Sequence, residues 1–273
     1  MSLPIPTTAD GRAGLAALLA DPARALVGLD FDGTLAPIVA DPAQARALPS
    51  AAPVMRQLGE RIGTVAIITG RPAALAVEYA GLDRLPPVDG LLVLGHYGAE
   101  RWDAATGEVT SPPEHPGIAP ARSAVDALSL PRGAWIEDKG RSFAVHTRRA
   151  ADPPGAFADL RPVLDAVAVR HDLHLELGRL VLELRPPGVD KGGALAELVE
   201  ERGARTIVFI GDDLGDLAAF RTVARLRAEG FGGLAVCSGS AEVPELADDT
   251  DLVVDGPEGV VALLSAIVDS LAP

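Results

Sequence analysis

Ala25-Leu26-Val27-Gly28-Leu29-Asp30-Phe31-Asp32-Gly33-Thr34-Leu35 runs an apolar strand straight into two carboxylates spaced two residues apart, followed by a glycine. Side chains two apart on an extended backbone point to the same side. Asp30 and Asp32 can therefore serve one reaction centre while Gly33 lets the chain turn away. One carboxylate can attack phosphorus and the other can move the proton. A bare Asp-x-Asp also fits a turn or a helix cap, where Asp and Gly are common, so its meaning depends on what the rest of the chain brings to the same edge.

Outward from this stretch, short apolar runs ending in Gly, Asp or Thr alternate with Ala/Leu-rich helical patterns, the rhythm of a parallel sheet covered by helices. The spacing predicts an α/β fold with a doubly wound, Rossmann-like parallel-sheet core. Strands are expected over Ala25–Leu29, Val65–Ile68, Leu91–Leu94, Thr206–Ile210, Leu234–Val236 and Leu252–Val254. Helices are expected over Gly11–Ala20, Ala51–Arg61, Ala73–Ala80, Gly193–Glu201, Asp216–Glu229 and Gly259–Ser270.

Three more strand or helix ends carry chemistry. Val65–Ile68 ends in Thr69-Gly70-Arg71-Pro72 before a helical pattern, so the Thr69 hydroxyl and the Gly70 N–H can hold phosphate oxygens at a helix start. Gly70 and Arg71 are expected among the substrate-binding residues. Taken alone, the segment equally fits an ordinary capped helix. Asp190 has the character of an N-cap, which puts Lys191 in the first helical turn, where a cation opposes the dipole. Its presence there makes sense if it neutralises a phosphate and the attacking carboxylate; the alternative is a solvated surface lysine. Thr206–Ile210 then ends in Gly211-Asp212-Asp213-Leu214-Gly215-Asp216. Unit charges about 4 Å apart repel by roughly 4 kcal/mol at an effective dielectric near 20, so these carboxylates cannot gather with Asp30 and Asp32 uncompensated. Mg²⁺ resolves the conflict, since it takes hard oxygen ligands and bridges carboxylate to phosphate. Asp30 and Asp212 are expected as side-chain ligands with the Asp32 carbonyl as a third, and Asp213 and Asp216 as the residues that orient them.

Between about Pro112 and Pro187 the rhythm changes to helix, two alternating runs, helix, two alternating runs. An inserted α+β cap of αββαββ order is expected over 113–187, with 1–112 and 188–273 forming the catalytic core. The runs are Ala134–Glu137 and Ser142–Thr147, then Leu173–Leu177 and Leu180–Arg185, the second pair joined by a tight Gly178-Arg179 turn, with helices Ala119–Leu128 and Pro154–Arg170. Proline-rich segments bracket the insert and read as stiff linkers. An insert can exclude water and select the leaving group. Acid and base sit on its paired strands around Glu137, Lys139, Glu183 and Arg185, able to bond sugar hydroxyls or to salt-pair across a solvated sheet.

The 273 residues are 48% hydrophobic, enough for a substantial core. With 24 basic against 38 acidic residues the net charge is −14, and no basic run tracks a phosphate backbone, so nucleic acid is not an expected partner. An acidic protein that handles a phosphate ester must reverse the local field, which again points to a divalent cation. The single cysteine, Cys237, cannot form an internal disulfide and follows an apolar run, so it reads as a buried small hydrophobe. A reducing, cytoplasmic compartment is expected. The opening Met1–Asp10 has no basic region followed by an apolar core, and no apolar run reaches roughly 18 residues, so neither secretion nor membrane spanning is expected. Nothing specifies an oligomer, and a monomer is compatible with the pattern.

Asp30-Phe31-Asp32-Gly33-Thr34-Leu35, Thr69, Lys191 and Gly211-Asp212-Asp213, in that order, resemble the motifs of the haloacid-dehalogenase-like phosphatases across the whole core. The resemblance implies a phosphoaspartyl intermediate, with Asp30 attacking and Asp32 protonating the departing alcohol before activating water. Within that superfamily, Glu137-Asp138-Lys139-Gly140, Glu183-x-Arg185-Pro186-Pro187-Gly188-x-Asp190-Lys191-Gly192 and Gly98-Ala99-Glu100 resemble the trehalose-6-phosphate phosphatases. This implies Mg²⁺-dependent hydrolysis of trehalose 6-phosphate, with Glu137, Lys139 and Glu183 contacting the disaccharide and Gly98 and Glu100 shaping the opening. The chain departs from the family at His96-Tyr97, where Asn-His is usual, and at Gly215, Leu217 and Ala218, where Thr, Glu and Asp are usual. The alternatives are a phosphatase for another phosphosugar, such as sucrose phosphate or a glucosylglycerol-type phosphate, and, outside enzymes, a phosphoaccepting receiver-like module or a sugar-binding regulator.

Overall fold

The computed structural model describes residues 3–39, 41–188, 190–239, 246 and 250–271, so Met1 and Ser2 of the opening stretch lie outside the described residues. The chain forms two compact units, residues 1–111 with 190–273 and residues 112–189.

The first unit is built on an eight-stranded sheet. In chain order it comprises α1 (Ala9–Ala20), β1 (Ala25–Leu29), α2 (Ala51–Gly59), β2 (Thr64–Ile68), α3 (Ala73–Ala80), β3 (Leu91–Gly95), β4 (Glu100–Asp103) and β5 (Val109–Thr110). The second unit contributes α4 (Ile118–Asp126), β6 (Trp135–Asp138), β7 (Phe143–His146), α5 (Pro153–Arg170), β8 (His174–Gly178) and β9 (Val181–Arg185). The chain then returns to the first unit with α6 (Lys191–Arg202), β10 (Thr206–Gly211), α7 (Leu217–Ala228), β11 (Gly232–Ser238), β12 (Leu252–Val254) and α8 (Gly256–Ser270).

The strand order is β12-β11-β10-β1-β2-β3-β4-β5, parallel from β12 to β3 and antiparallel at β4 and β5. β1, β2, β3 and β10 are buried along their whole lengths, as strands covered on both faces must be. Two apolar clusters account for this. One gathers Leu29, Val65, Ile67 and Val93 with α2 and α8 residues such as Met55, Leu58 and Leu264. The other gathers Leu26, Ile68, Phe209 and Ala235 with α6 and α7 residues such as Leu195, Phe220 and Val223. This is the doubly wound core expected from the sequence. β1 sits between β10 and β2, so the strand order reverses beside it, and the carboxyl end of such a reversal is where open α/β sheets bind ligands.

All six expected core strands form, within two residues of their bounds, and so do the six helices, of which α1 and α6 begin two residues earlier and α8 three residues earlier than read, while α2 ends two residues earlier. β4 and β5 were not expected; Glu100–Asp103 carries three charged residues, and its strand form comes from pairing with β3, with Trp102 opposite Val93.

The second unit is a four-stranded antiparallel sheet, order β6-β7-β9-β8, with α4 and α5 on one face around Phe143, Val145, Leu164, Leu182 and Leu184. Its element order is αββαββ. The β8–β9 hairpin closes with Gly178 opposite Val181, so the turn residues are Arg179 and Leu180 rather than Gly178 and Arg179, and Leu180 takes the left-handed conformation (φ 59°). No helix of the described residues is long and apolar enough to cross a membrane.

Candidate active site

Four chain segments converge at the carboxyl edge of β1 and β10. Asp30 follows β1 directly, and its N–H donates to the Ile210 carbonyl at 2.9 Å, which registers it beside the end of β10. The chain then turns at Gly33, whose φ of 73° favours glycine and where a Cβ would come within 1.9 Å of Asp212 Oδ2. Glycine is thus what lets the Asp212 carboxylate approach the turn. Ser238, at the end of β11, donates its hydroxyl to the Gly33 carbonyl at 2.7 Å and holds the turn from below. Sequence reasoning missed Ser238, although the end of the strand next to β10 was a place to look.

Asp190 caps α6 by accepting from Gly193 N at 2.8 Å, and Lys191 is the first helical residue, as the sequence indicated. Lys191 is buried, not solvated: Nζ lies 2.8 Å from Asp30 Oδ1 and 2.7 Å from Asp216 Oδ1. The other Asp216 oxygen accepts from Asp212 N at 2.9 Å and Asp213 N at 3.1 Å. Asp216 is therefore committed on both oxygens to shaping the loop and holding the lysine. Asp212 is also buried, and its Oδ1 has no hydrogen-bond partner. Among the described residues, Asp30, Asp212 and Asp216 each offer a carboxylate oxygen, and these atoms all lie within 4.8 Å of one another.

Burial and mutual repulsion dominate the electrostatics here. Burial pushes the Asp30 carboxyl well above the usual range, with Lys191 opposing and Asp216 and Asp213 adding to the rise. Burial, then Asp30, Asp213 and Asp216, push Asp212 up to about 10, and burial pushes Asp216 up to about 6 against the pull of Lys191. Burial alone would lower the Lys191 ammonium, but Asp216, Asp30 and Asp213 outweigh it and raise it well above its ordinary value. One lysine cannot neutralise this set. A hard divalent cation fits it: the donors are carboxylate oxygens, Asp212 Oδ1 is buried and unpartnered, and Asp30 lies in the same cluster.

Asp32 does not join that cluster. Its side chain is 44% exposed and forms a bidentate pair with Arg71, Nε to Oδ2 and Nη2 to Oδ1, both at 2.7 Å. Arg71 is itself locked in place by the Pro42 carbonyl at 2.9 Å and by the rings of Phe31 and Tyr79. The guanidinium that the sequence assigned to substrate is thus aimed at the second carboxylate of the Asp-x-Asp pair. Thr69 is buried and its hydroxyl accepts from Arg71 N at 3.2 Å.

The turn after β2 is tied to the turn after β3. Tyr97 N donates to the Thr69 carbonyl at 2.8 Å and His96 N to the Arg71 carbonyl at 2.9 Å. His96 and Tyr97 both take positive φ, 47° and 60°, an uncommon conformation for bulky residues. The Tyr97 phenol stands against Gly70, where a Cβ would come within 2.7 Å of its oxygen. Gly98 packs on Ala194 of α6. Glu100 accepts from Ala73 N at 2.9 Å and so caps α3, which has no side-chain cap of its own. Sequence reading noted the His96-Tyr97 departure but not that it builds this brace.

In the second unit, Glu137, Ala144, Glu183 and Glu176 face one another across four strands in one row. Glu183 accepts from Ser142 Oγ at 2.7 Å and Lys139 Nζ at 2.6 Å, Glu137 lies 2.7 Å from His146 Nε2, and Glu176 lies 2.6 Å from Arg185 Nη2. Glu137 and Glu183 lie on one sheet face, and Lys139, one residue past the end of β6, reaches Glu183 from the turn.

The family model for trehalose-phosphatase matches residues 28–252, a span that contains every residue of this cluster. The chain belongs to the trehalose-phosphatase family. Among relatives, it is 30% identical over 245 residues to a probable trehalose-phosphate phosphatase of Sinorhizobium fredii, covering 88% of this chain and 87% of that protein. It is 30% identical to the trehalose-6-phosphate phosphatase of Escherichia coli, covering 77% of this chain and 76% of that one. It is 35% identical to a trehalose-phosphate phosphatase of Mycobacterium avium, of which it spans about half, 51%. In fold it is similar to the C-terminal domain of the trehalose-6-phosphate phosphatase of C. albicans (TM-score 0.74, 20% identity, 98% of this chain and 99% of that one). It is also similar in fold to a haloacid dehalogenase-like hydrolase from Bacteroides thetaiotaomicron (TM-score 0.58, 16% identity, 89% and 98%).

Proposed function

We propose that this trehalose-phosphatase family member is a Mg²⁺-dependent phosphatase that converts trehalose 6-phosphate to trehalose and phosphate through an aspartyl phosphate. The observation that carries the chemistry is the buried set of Asp30, Asp212 and Asp216 around Lys191, with Asp212 Oδ1 left for a cation.

Asp30 is the nucleophile. Its free oxygen bonds to phosphorus as the bond from phosphorus to the sugar oxygen breaks, and Asp32 gives that oxygen its proton. Asp32 then takes a proton from water, whose oxygen attacks the aspartyl phosphate, and the bond from Asp30 to phosphorus breaks to regenerate the carboxylate. Lys191 holds Asp30 in line and offsets the charge that develops on the phosphoryl oxygens. Arg71 holds Asp32 by two parallel hydrogen bonds that suit its carboxylate form, the base of the second step; one of them must open for Asp32 to carry the proton of the first. Thr69 and the Gly70 N–H hold the phosphate at the start of α3. Asp30, Asp212 and the Asp32 carbonyl would hold Mg²⁺, with Asp213 and Asp216 orienting the loop; when bound, the ion supplies positive charge to carboxylates and phosphate alike. The sugar is read by Glu137, Lys139 and Glu183 of the second unit, and Gly98 and Glu100 of the first shape the opening. The reading places the enzyme in the cytoplasm, where charged sugar phosphates are retained.

The test is phosphate release from a panel of sugar phosphates, with Mg²⁺ and with a chelator. The expected result is the highest kcat/KM on trehalose 6-phosphate and loss of activity with chelator. Absence of release from every ester would overturn the phosphatase reading, and a clear preference for another sugar phosphate would overturn the substrate.

A further inference from the structure

The polar face of the second unit contains a group that the proposed reaction does not use. His146 ends β7, its side chain only 7% exposed, and its Nε2 lies 2.7 Å from Glu137 Oε2. Facing a carboxylate, which only accepts, Nε2 is the donor. The imidazole is not placed by this bond alone. Its ring stacks on Trp135 with centroids 4.5 Å apart and planes 7° from parallel, and the Arg149 guanidinium also lies over the Trp135 ring at 4.5 Å. Trp135 is the cross-strand partner of His146, and Glu137 follows on the same face of β6. The Trp135 indole thus carries both a guanidinium and the imidazole that meets Glu137.

This is more structure than a solvated sheet face needs. Three glutamates in one row, two of them directly opposite on β8 and β9, work against sheet stability. Each is nevertheless pinned by a donor from a neighbouring position: Glu137 by His146, Glu183 by Ser142 and Lys139, and Glu176 by Arg185. Rigid acceptors at set spacings are what a polyol ligand requires, because a hydroxyl is recognised only by a partner already aimed at it. Glu137 is also the more exposed of its pair, 31% against 7%, so the imidazole stands behind the carboxylate.

We propose that His146, braced by the Trp135 stack, is a positioning residue that fixes the Glu137 carboxylate for sugar recognition. The inference rests on the reading of Glu137 as a sugar contact and extends it to a residue that does not itself touch substrate.

The experiment compares wild type, Glu137→Ala, His146→Phe, His146→Gln and the Glu137→Ala/His146→Phe double variant on trehalose 6-phosphate and on p-nitrophenyl phosphate, which has no sugar. His146→Phe keeps an aromatic ring against Trp135 and removes the nitrogen; His146→Gln keeps an N–H near the Nε2 position. His146→Phe is expected to lower the ratio of kcat/KM on the sugar ester to that on the aryl ester by about tenfold, through KM, as loss of a hydrogen bond to a charged group would. His146→Gln should recover most of that loss, and the double variant should be no worse than Glu137→Ala. Equal loss on both esters, no recovery by Gln, or additive losses would overturn the proposal while Glu137→Ala remained sugar-selective. If Glu137→Ala itself loses both activities equally, the sugar-contact reading has failed, and the positioning role fails with it. Thermal midpoints of all variants separate these outcomes from misfolding.

Discussion

Lys191 shows at the scale of one residue how context reverses an ordinary preference. A cation at the first position of a helix opposes the dipole, yet here it is buried between Asp30 and Asp216 at 2.8 and 2.7 Å. The sequence carried the anomaly, but only the fold supplies the two carboxylates, 161 and 25 residues away in the chain by number, that make it favourable. The two aspartates of the opening motif differ in the same way: Asp30 is buried on Lys191, whereas Asp32 is half exposed and gripped by Arg71. The proposed division of labour makes a residue-level prediction. Asp30→Asn should lower phosphate release by more than about a thousandfold on every ester, since an amide is not an adequate nucleophile. Asp32→Asn should cost far more with a sugar ester than with p-nitrophenyl phosphate in the first, leaving-group step, because a phenolate with a weakly basic oxygen departs without a proton. Rates of aspartyl-phosphate formation with release of the alcohol or phenolate, measured by rapid quench, check this, and equal losses would exclude Asp32 as the acid.

At the scale of elements, the site depends on how strand ends are tied together. The edge of the sheet beyond β10 is held by Asp251, which precedes β12 and is buried; it accepts from Ala235 N of β11 at 2.7 Å, from Arg227 of α7 and from Thr8 at the start of α1. One carboxylate thus joins two helices to two strands. Burial works to raise its pKa, but hydrogen bonds from Arg227, Thr8 and Ala235 outweigh it and lower the group below its ordinary value. A carboxyl lowered on folding stabilises the folded state above its unfolded pKa, and that contribution is lost as pH falls through the folded value. Asp251→Ala should therefore destabilise by about 2 to 4 kcal/mol at neutral pH, leaving Arg227 and Ala235 N without their acceptor. The difference from wild type should shrink in acid, below pH about 4; urea unfolding across pH checks both statements, and a difference that grows in acid would contradict them. Sequence periodicity found the strands and helices joined here but gave no sign of the knot, because neither Thr8, Arg227 nor Asp251 stands out in its own segment.

For the whole molecule, the raised carboxyls make folding stability depend on pH and, with the proposed Mg²⁺ site, should couple it to the metal. A carboxyl raised on folding contributes stability below its unfolded pKa, near 4, and loses it as pH rises toward the folded value, which for Asp212 is about 10. Without divalent cation, the thermal midpoint should fall between about pH 5 and pH 9. Mg²⁺ at the proposed site would bind the deprotonated form and so should restore stability more at pH 8 than at pH 6, releasing protons as it does. Thermal scans with and without Mg²⁺, with calorimetry in buffers of different ionisation enthalpy, check this; a Mg²⁺ shift independent of pH, with no proton release, would contradict it. The sequence by itself determined the alternation of strand and helix, the inserted αββαββ segment and the order of the four strand-end and helix-start motifs, because these follow from local periodicity and from backbone groups left open at element ends. Only the tertiary structure decided that Arg71 grips Asp32, that Ser238 secures the Gly33 turn, that Glu100 caps α3 and that His146 stands behind Glu137. Those contacts join side chains whose spacing in the chain is arbitrary, and no local pattern encodes which of many possible polar partners folding brings within hydrogen-bond distance.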